Sequence, residues 1–296
     1  MWGLPAVLFL FIGGGLAAAE FTVATYNVQN YLVKPAAGRK AKSLAAREAI
    51  VDSLVRLDAD IVSLQEVGGD AALADLRRRL LTRGINYPYQ ALLQAWDPAI
   101  QLAVLSRHPI TTSRGHTNAQ YLVEGTRQRV RRGILETEIT VGADYRFTLL
   151  TVHLKSKRSV PYARESELRK HEAIVLRRRV ESILTADPQA NLVVLGDLND
   201  TPESTVVRLV QGQGTRALTD VTPAVRRFDG QDSGAPGNWT HFYRRTGEHT
   251  RLDYVLISPG MRPEHLPRAS FTAELPDWSE ASDHRPVVAG FVIGDR

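Results

Sequence analysis

Leu192-Val193-Val194-Leu195-Gly196-Asp197-Leu198-Asn199-Asp200 runs an unbroken apolar segment into glycine, aspartate and asparagine. An apolar run this short reads as a buried strand, and the polar residues fall where it ends. That is how a rigid scaffold presents side chains to a site. The same design recurs outward in both directions. Phe21–Tyr26 leads into Asn27, and Asp60–Leu64 leads into Gln65-Glu66-Val67. Arg146–Leu154 carries His153 near its end and is followed by Lys155-Ser156-Lys157. Leu252–Ile257 carries Asp253, and Ser282-Asp283-His284-Arg285 enters the run Pro286–Ile293. Leu102–Leu105, Gly133–Val141 and Trp239–Tyr243 read as further strands. Ser43–Leu57, Ala71–Leu81 and Arg164–Leu184 repeat their apolar residues at helical period. Ser113–Arg132 and Phe228–Gly237 read as loops. Interleaved strands and helices, with strands dominating late, predict an α/β fold with mixed sheets.

The remaining composition narrows the class. Apolar residues at 43% and charged residues at 23% of 296 exclude a disordered chain. Lys and Arg number 37 against 32 Asp and Glu, a net charge of +5 that suits a polyanionic partner without requiring one. There is no cysteine, so disulfides, thiolate nucleophiles and zinc–cysteine sites are excluded. Residues 1–19 carry no charged side chain and pass from an apolar run through Gly13–Gly15 to Leu16-Ala17-Ala18-Ala19. This resembles a secretory signal peptide, although no Lys or Arg precedes the apolar run. The alternative is an uncleaved anchor, for which the run is short. The expectation is an exported protein, periplasmic or extracellular, with one domain over residues 20–296.

Taken singly, an Asn or Asp at a strand end is usually a turn former, and a lone His is usually structural. Together, carboxylates, amides and imidazoles at strand ends match the needs of phosphodiester hydrolysis. A hard cation takes carboxylates, a water must be oriented, and the phosphorane charge needs donors. In order, Tyr-Asn-Val, Gln-Glu-Val, Val-His-Leu, Gly-Asp-Leu-Asn, Leu-Asp-Tyr-Val-Leu-Ile-Ser and Ser-Asp-His-Arg-Pro-Val resemble the endonuclease/exonuclease/phosphatase family. The resemblance runs from about Phe21 to Ile293. It implies a four-layer α-β-β-α sandwich of two mixed β-sheets flanked by helices, with the site at one edge.

The resemblance also implies roles. Glu66 would be the principal metal carboxylate, Asn27 a ligand or an orienter of phosphate and water, and Asp283 part of the metal region or of a second metal site. Mg²⁺ is the expected cation, with Mn²⁺ or Ca²⁺ as alternatives. His284 would sit over the scissile phosphate, hydrogen-bonded to Asp253. Asp197 would orient or deprotonate the attacking water, and Asn199 would donate to a phosphoryl oxygen. His153 would face the phosphate from the other side. The base is either Asp197 or His284. Arg107 and Arg132 could bind substrate or only pair with a nearby carboxylate. Lys155 and Lys157 could hold flanking phosphates, and alternation would point both to the side of His153 if the strand continued. One departure is Gln29, where some relatives carry an acidic residue, which would leave a leaner metal shell.

The reading this supports is a secreted metal-dependent phosphodiesterase, monomeric, with nucleic acid as its substrate. Membrane lipid, cleaved as by a sphingomyelinase, is the alternative, for which Trp96, Trp239 and Trp278 are the candidate membrane-facing aromatics. A binding module with a dead site is the non-enzyme alternative, and none of the principal positions is missing.

Overall fold

In the computed structural model, residues 19–221, 224–228 and 237–294 are described; most of the expected signal peptide and of the loop Phe228–Gly237 lie outside them. In chain order the elements are β1 (Glu20–Tyr31), α1 (Leu44–Leu57), β2 (Ile61–Val67), α2 (Asp70–Thr82), β3 (Tyr89–Leu93), β4 (Gln101–Ser106) and β5 (Ile110–His116). Then come β6 (Gln120–Val123), β7 (Thr126–Arg129), β8 (Ile134–Val141), β9 (Tyr145–His153), α3 (Glu165–Ala186), β10 (Leu192–Asp197) and α4 (Thr205–Gln211). The chain closes with β11 (Thr219–Asp220), β12 (Ala224–Arg227), β13 (His241–Tyr243), β14 (Glu248–Thr250), β15 (Asp253–Ile257), β16 (His265–Glu274), α5 (Trp278–Ala281) and β17 (Val287–Val292).

Two mixed sheets form, ordered β12-β16-β17-β1-β2-β4-β3 and β11-β15-β10-β9-β8-β5. Strand alternation decides what each face covers. Phe21, Val23, Ile61 and Val104 of the first sheet pack against Phe147, Leu149, Val193 and Leu195 of the second. Their neighbours Ala24, Tyr26, Val62 and Leu64 point the other way, onto Ile50, Leu54, Leu73 and Leu76 of α1 and α2. On the far side, Leu150, Val152, Leu192 and Val194 meet Ala173, Leu176 and Val180 of α3 and Val207 of α4. The result is the four-layer sandwich. Ser43 caps α1, its Oγ accepting from the Ala46 amide at 3.0 Å.

Two expectations change. Ser113–Arg132 is not a loop: it holds the end of β5 and the hairpin β6–β7. Those strands are mostly exposed on both faces, so no apolar alternation marks them. β13 is shorter than Trp239–Tyr243 and forms a two-stranded sheet with β14, outside both main sheets. No described helix is long and apolar enough to cross a membrane.

Candidate active site

Parallel β1 and β2, and parallel β9 and β10, end at one rim of the sandwich, where antiparallel β15 begins and the segment before β17 enters. Register then does the assembly. His153, Asp197 and Asp253 stand side by side across β9, β10 and β15. Across the sheet interface Asn27 pairs with Gln65, and the β1–β2 register slips past Glu66 before pairing resumes at Tyr31 and Val67. Glu66 has φ +69°. A bulge with a positive-φ carboxylate re-aims that side chain out of the regular alternation, a local strain seen at functional sites. Gly196 is required next to Asp197: with φ +134°, an added Cβ would lie 2.0 Å from the Val152 carbonyl oxygen.

Asp197 lies at the centre. Its Oδ2 accepts from Asn27 Nδ2 at 3.1 Å and lies 3.4 Å from His153 Nε2 and 3.8 Å from His284 Nε2. Its Oδ1 accepts from the Asn199 amide at 2.8 Å. His284 Nδ1 is hydrogen-bonded to Asp253 Oδ2 at 2.7 Å, and both side chains are buried. Glu66 Oε2 accepts from the Asn30 amide at 2.8 Å, and its Oε1 lies 3.9 Å from His153 Nε2. Ser282 Oγ donates to the Asn27 carbonyl at 2.7 Å and so ties the His284 segment to β1.

The electrostatics split the two histidines. Burial first, then the nearby positive charges of Arg132, His284 and Arg39, holds His153 well below the ordinary imidazole range. Burial would do the same to His284, but the Asp253 carboxylate outweighs it and raises His284 to about 10. Burial and the Asp253 charge push Asp197 up to about 7. His153 is therefore a neutral imidazole and His284 an imidazolium near neutral pH.

The oxygen donors fit a hard divalent cation. Glu66 and Asp197 face the His153 ring from two sheets, Asn27 is hydrogen-bonded to Asp197, and Asp253 Oδ1 is a buried carboxylate oxygen with no hydrogen-bond partner. Donor atoms of Asp197, Asp253 and His284 lie within 4.8 Å of one another and could hold a metal. Because His284 Nδ1 is engaged by Asp253, that trio is better suited to positioning a proton than to serving as a full ligand set. Asp283 lies at the rim, its carboxylate 4.0 Å from both His241 Nε2 and His284 Nε2.

Several expected residues stand elsewhere. Arg107 is not at the rim. It pairs with Asp58 and Asp60 at the opposite end of β2, about 20 Å along the strand from Glu66. Lys155 does not continue the strand. β9 ends at His153, the Lys155 amide donates to Glu172 Oε2 at 2.6 Å, and its Nζ bonds to the carbonyls of Ser156 and Arg158. Lys157 is exposed on that loop. Arg132 donates to the Leu154 carbonyl at 2.8 Å, the same oxygen that accepts from Asn199 Nδ2 at 3.0 Å. Trp239 and Trp278 are not surface tips: they flank the buried Arg285, whose guanidinium lies 3.4 Å from the Trp239 ring centroid. Trp96 is half exposed, with Arg129 over its ring.

The sequence reading missed His241, Arg39 and Lys42. His241 forms a bridge with His284, and their ring centroids are 4.7 Å apart. Lys42 donates to the Gln29 carbonyl at 2.9 Å; burial lowers its ammonium to about 8 against the pull of Asp283 and Glu66. The basic run Arg39-Lys40-Ala41-Lys42, following Gly38 just beyond β1, was the available signal.

Buried carboxylates, two imidazoles of unlike charge and amide donors gathered at one rim are the equipment of a phosphoester hydrolase. Residues 24–284 match the Endonuclease/Exonuclease/phosphatase family, and the chain belongs to it. Solved structures with the same fold include truncated TDP2 of Caenorhabditis elegans, 17% identical with a TM-score of 0.62, matched over 93% of this chain and 98% of that one. Sphingomyelinase C from Streptomyces griseocarneus is 21% identical with a TM-score of 0.60, over 92% and 99% of the two chains. The human Nocturnin catalytic domain with bound sulfate is 16% identical with a TM-score of 0.60, over 92% and 94%. Comparison with curated protein sequences found no match.

Proposed function

We propose that the protein is an exported, Mg²⁺-dependent nuclease that hydrolyses phosphodiester bonds of DNA, RNA or both, acting as a monomer. The observation that carries the chemistry is Asp197 Oδ2, buried and faced by Asn27 Nδ2, His153 Nε2 and His284 Nε2. Asp197 accepts a proton from the attacking water, because His284 already holds one and His153 is too poor a base. His284, fixed by Asp253, and the second Nδ2 proton of Asn199 donate to phosphoryl oxygens. Glu66 and Asn27, with Asp283 at the rim, would hold the cation. When bound, it neutralises charge on the phosphoryl and leaving oxygens. Mn²⁺ or Ca²⁺ would suit the same oxygen donors.

Nucleic acid is favoured over lipid by what borders the site. Arg39, Arg131, Arg132, Lys155 and Arg158 lie on the His153 side. Of the exposed apolar groups, Trp96 lies under the Arg129 guanidinium and Leu122 pairs across its hairpin with Arg127. The test is purified mature protein with Mg²⁺ against plasmid DNA, RNA, sphingomyelin and inositol phosphates in parallel. Hydrolysis of either nucleic acid well above the other substrates is expected. Preference for sphingomyelin would replace this reading with the lipid one.

A further inference from the structure

Beside the catalytic rim lies an open cavity of about 320 Å³ whose walls come from four separate stretches of chain. Arg39 comes from the loop after β1, Asp97 from the loop before β4, Arg131 and Arg132 from the segment after β7, and Lys155, Ser156 and Arg158 to Val160 from the loop after β9. Glu172 of α3 forms the floor. This volume is within the ordinary range for ligand sites, roughly 300–1,000 Å³. The lining carries five cations against two carboxylates.

The two carboxylates do little to neutralise those cations. Asp97 Oδ1 accepts from the backbone amides of Ala99 and Ile100, and its Oδ2 is 3.9 Å from Arg132 Nε. Glu172 accepts from the amides of Lys155 and Arg131. Among the described residues, no carboxylate comes within ion-pair distance of Arg39, Arg131 or Arg158. Arg132 Nε is buried and has no hydrogen-bond partner. Lys155 Nζ spends two of its three protons on carbonyls of its own loop. Cations held close together around a cavity, with acceptors already committed to backbone amides, form a site for an anion.

The cavity is also joined to the reaction centre. The Leu154 carbonyl accepts from Arg132 on the cavity side and from Asn199 on the catalytic side, and His153 immediately precedes it. An anion in the cavity is thus one wall away from the scissile phosphate.

We infer that this cavity is a second phosphate site, taking the phosphate next to the scissile one along a nucleic-acid strand. The inference rests on the nuclease reading and adds to it that the preferred substrate carries at least two consecutive phosphates. A sphingolipid headgroup, with a single phosphate, would leave the cavity unused.

The test compares dithymidine monophosphate with the same compound bearing a 5′- or a 3′-terminal phosphate. Wild type is expected to cleave one of the phosphorylated forms with kcat/KM about tenfold higher or more. The double variant Arg131→Ala, Arg158→Ala changes two exposed side chains outside the catalytic set, and thermal melting checks its fold. It should bring the two rates within about twofold by losing the gain on the phosphorylated form, with the unphosphorylated rate kept. Equal rates on all three compounds in wild type would overturn the cavity assignment and leave the nuclease reading standing. So would a preference that survives in the double variant. Failure to cleave any of them alongside hydrolysis of sphingomyelin would overturn both.

Discussion

Replacing Asp253 by Asn keeps shape and an acceptor for His284 Nδ1 but removes the charge that holds the imidazolium. The side chain is fully buried, and its Oδ2 is 2.7 Å from the ring nitrogen, so an amide oxygen can take the same bond. His284 is raised to about 10 because Asp253 overcomes burial. Without that charge only the weaker pulls of Asp197 and Asp283 oppose burial, and the group should titrate well below 10, toward its ordinary value of about 6.5. At about pH 8 a group that has reached that value is protonated to only roughly 3%, against nearly all in wild type, a loss of up to about 30-fold in turnover. Loss of a fixed tautomer could deepen this toward about 10⁴-fold, the scale known for the equivalent change in a serine-protease triad. Because Asp253 also raises Asp197, the variant should regain activity as pH falls toward about 6, where wild type declines as Asp197 takes a proton. The assay is steady-state hydrolysis of bis(p-nitrophenyl) phosphate across pH, with an NMR titration of the labelled His284 ring. Wild-type turnover at about pH 8, or a His284 midpoint still near 10 in the variant, would refute the reasoning.

Chelation should abolish hydrolysis and added Mg²⁺ or Mn²⁺ should restore it, read as product release before and after metal addition; full activity in excess chelator would remove the cation from the account. Gly196→Ala should destabilise the fold by about 2–4 kcal/mol in urea unfolding, since the new Cβ meets the Val152 carbonyl at 2.0 Å; an unchanged midpoint would contradict that contact. Glu136 is held down to about 2: burial opposes this, but His116 and Arg179 outweigh it. Its folded value lies below the unfolded one, so its contribution is present above about pH 4.5 and lost as pH falls toward 2. Glu136→Gln should therefore cost about 1–3 kcal/mol at neutral pH and flatten the acid limb of stability, measured by thermal melts across pH.

The sandwich and most of its rim were legible because the apolar runs are continuous and the polar groups sit at their ends. Asn27, His153, Asp197 and Asp253 are brought together by register, which alternation in Phe21–Tyr26 and Leu192–Leu195 enforces, while Glu66 joins them at a register slip and His284 from the segment before β17. What was not legible depends on contacts between distant loops. Arg107 follows a strand as the rim residues do, yet β4 runs antiparallel to β2 and delivers it to the far end. Lys155 and Lys157 would flank His153 only if its strand continued, but the chain turns away where Glu172, seventeen positions on, captures the Lys155 amide. β16 was missed because Pro267 and Arg268 interrupt its apolar pattern and its pairing with β17 slips between Leu266 and Phe271. The unlike charges of His153 and His284 arise from which side chains surround each ring, and neither residue's neighbours in the chain reveal that.

The central claim, that the rim around Asp197 hydrolyses phosphodiesters, is tested most directly by the rate of plasmid DNA cleavage with Mg²⁺ for wild type and Asp197→Asn. The variant keeps the acceptor for the Asn199 amide and should retain the wild-type circular dichroism spectrum. The account predicts robust cleavage by wild type and a loss of at least about a hundredfold in the variant. Equal cleavage by a folded Asp197→Asn protein would contradict it.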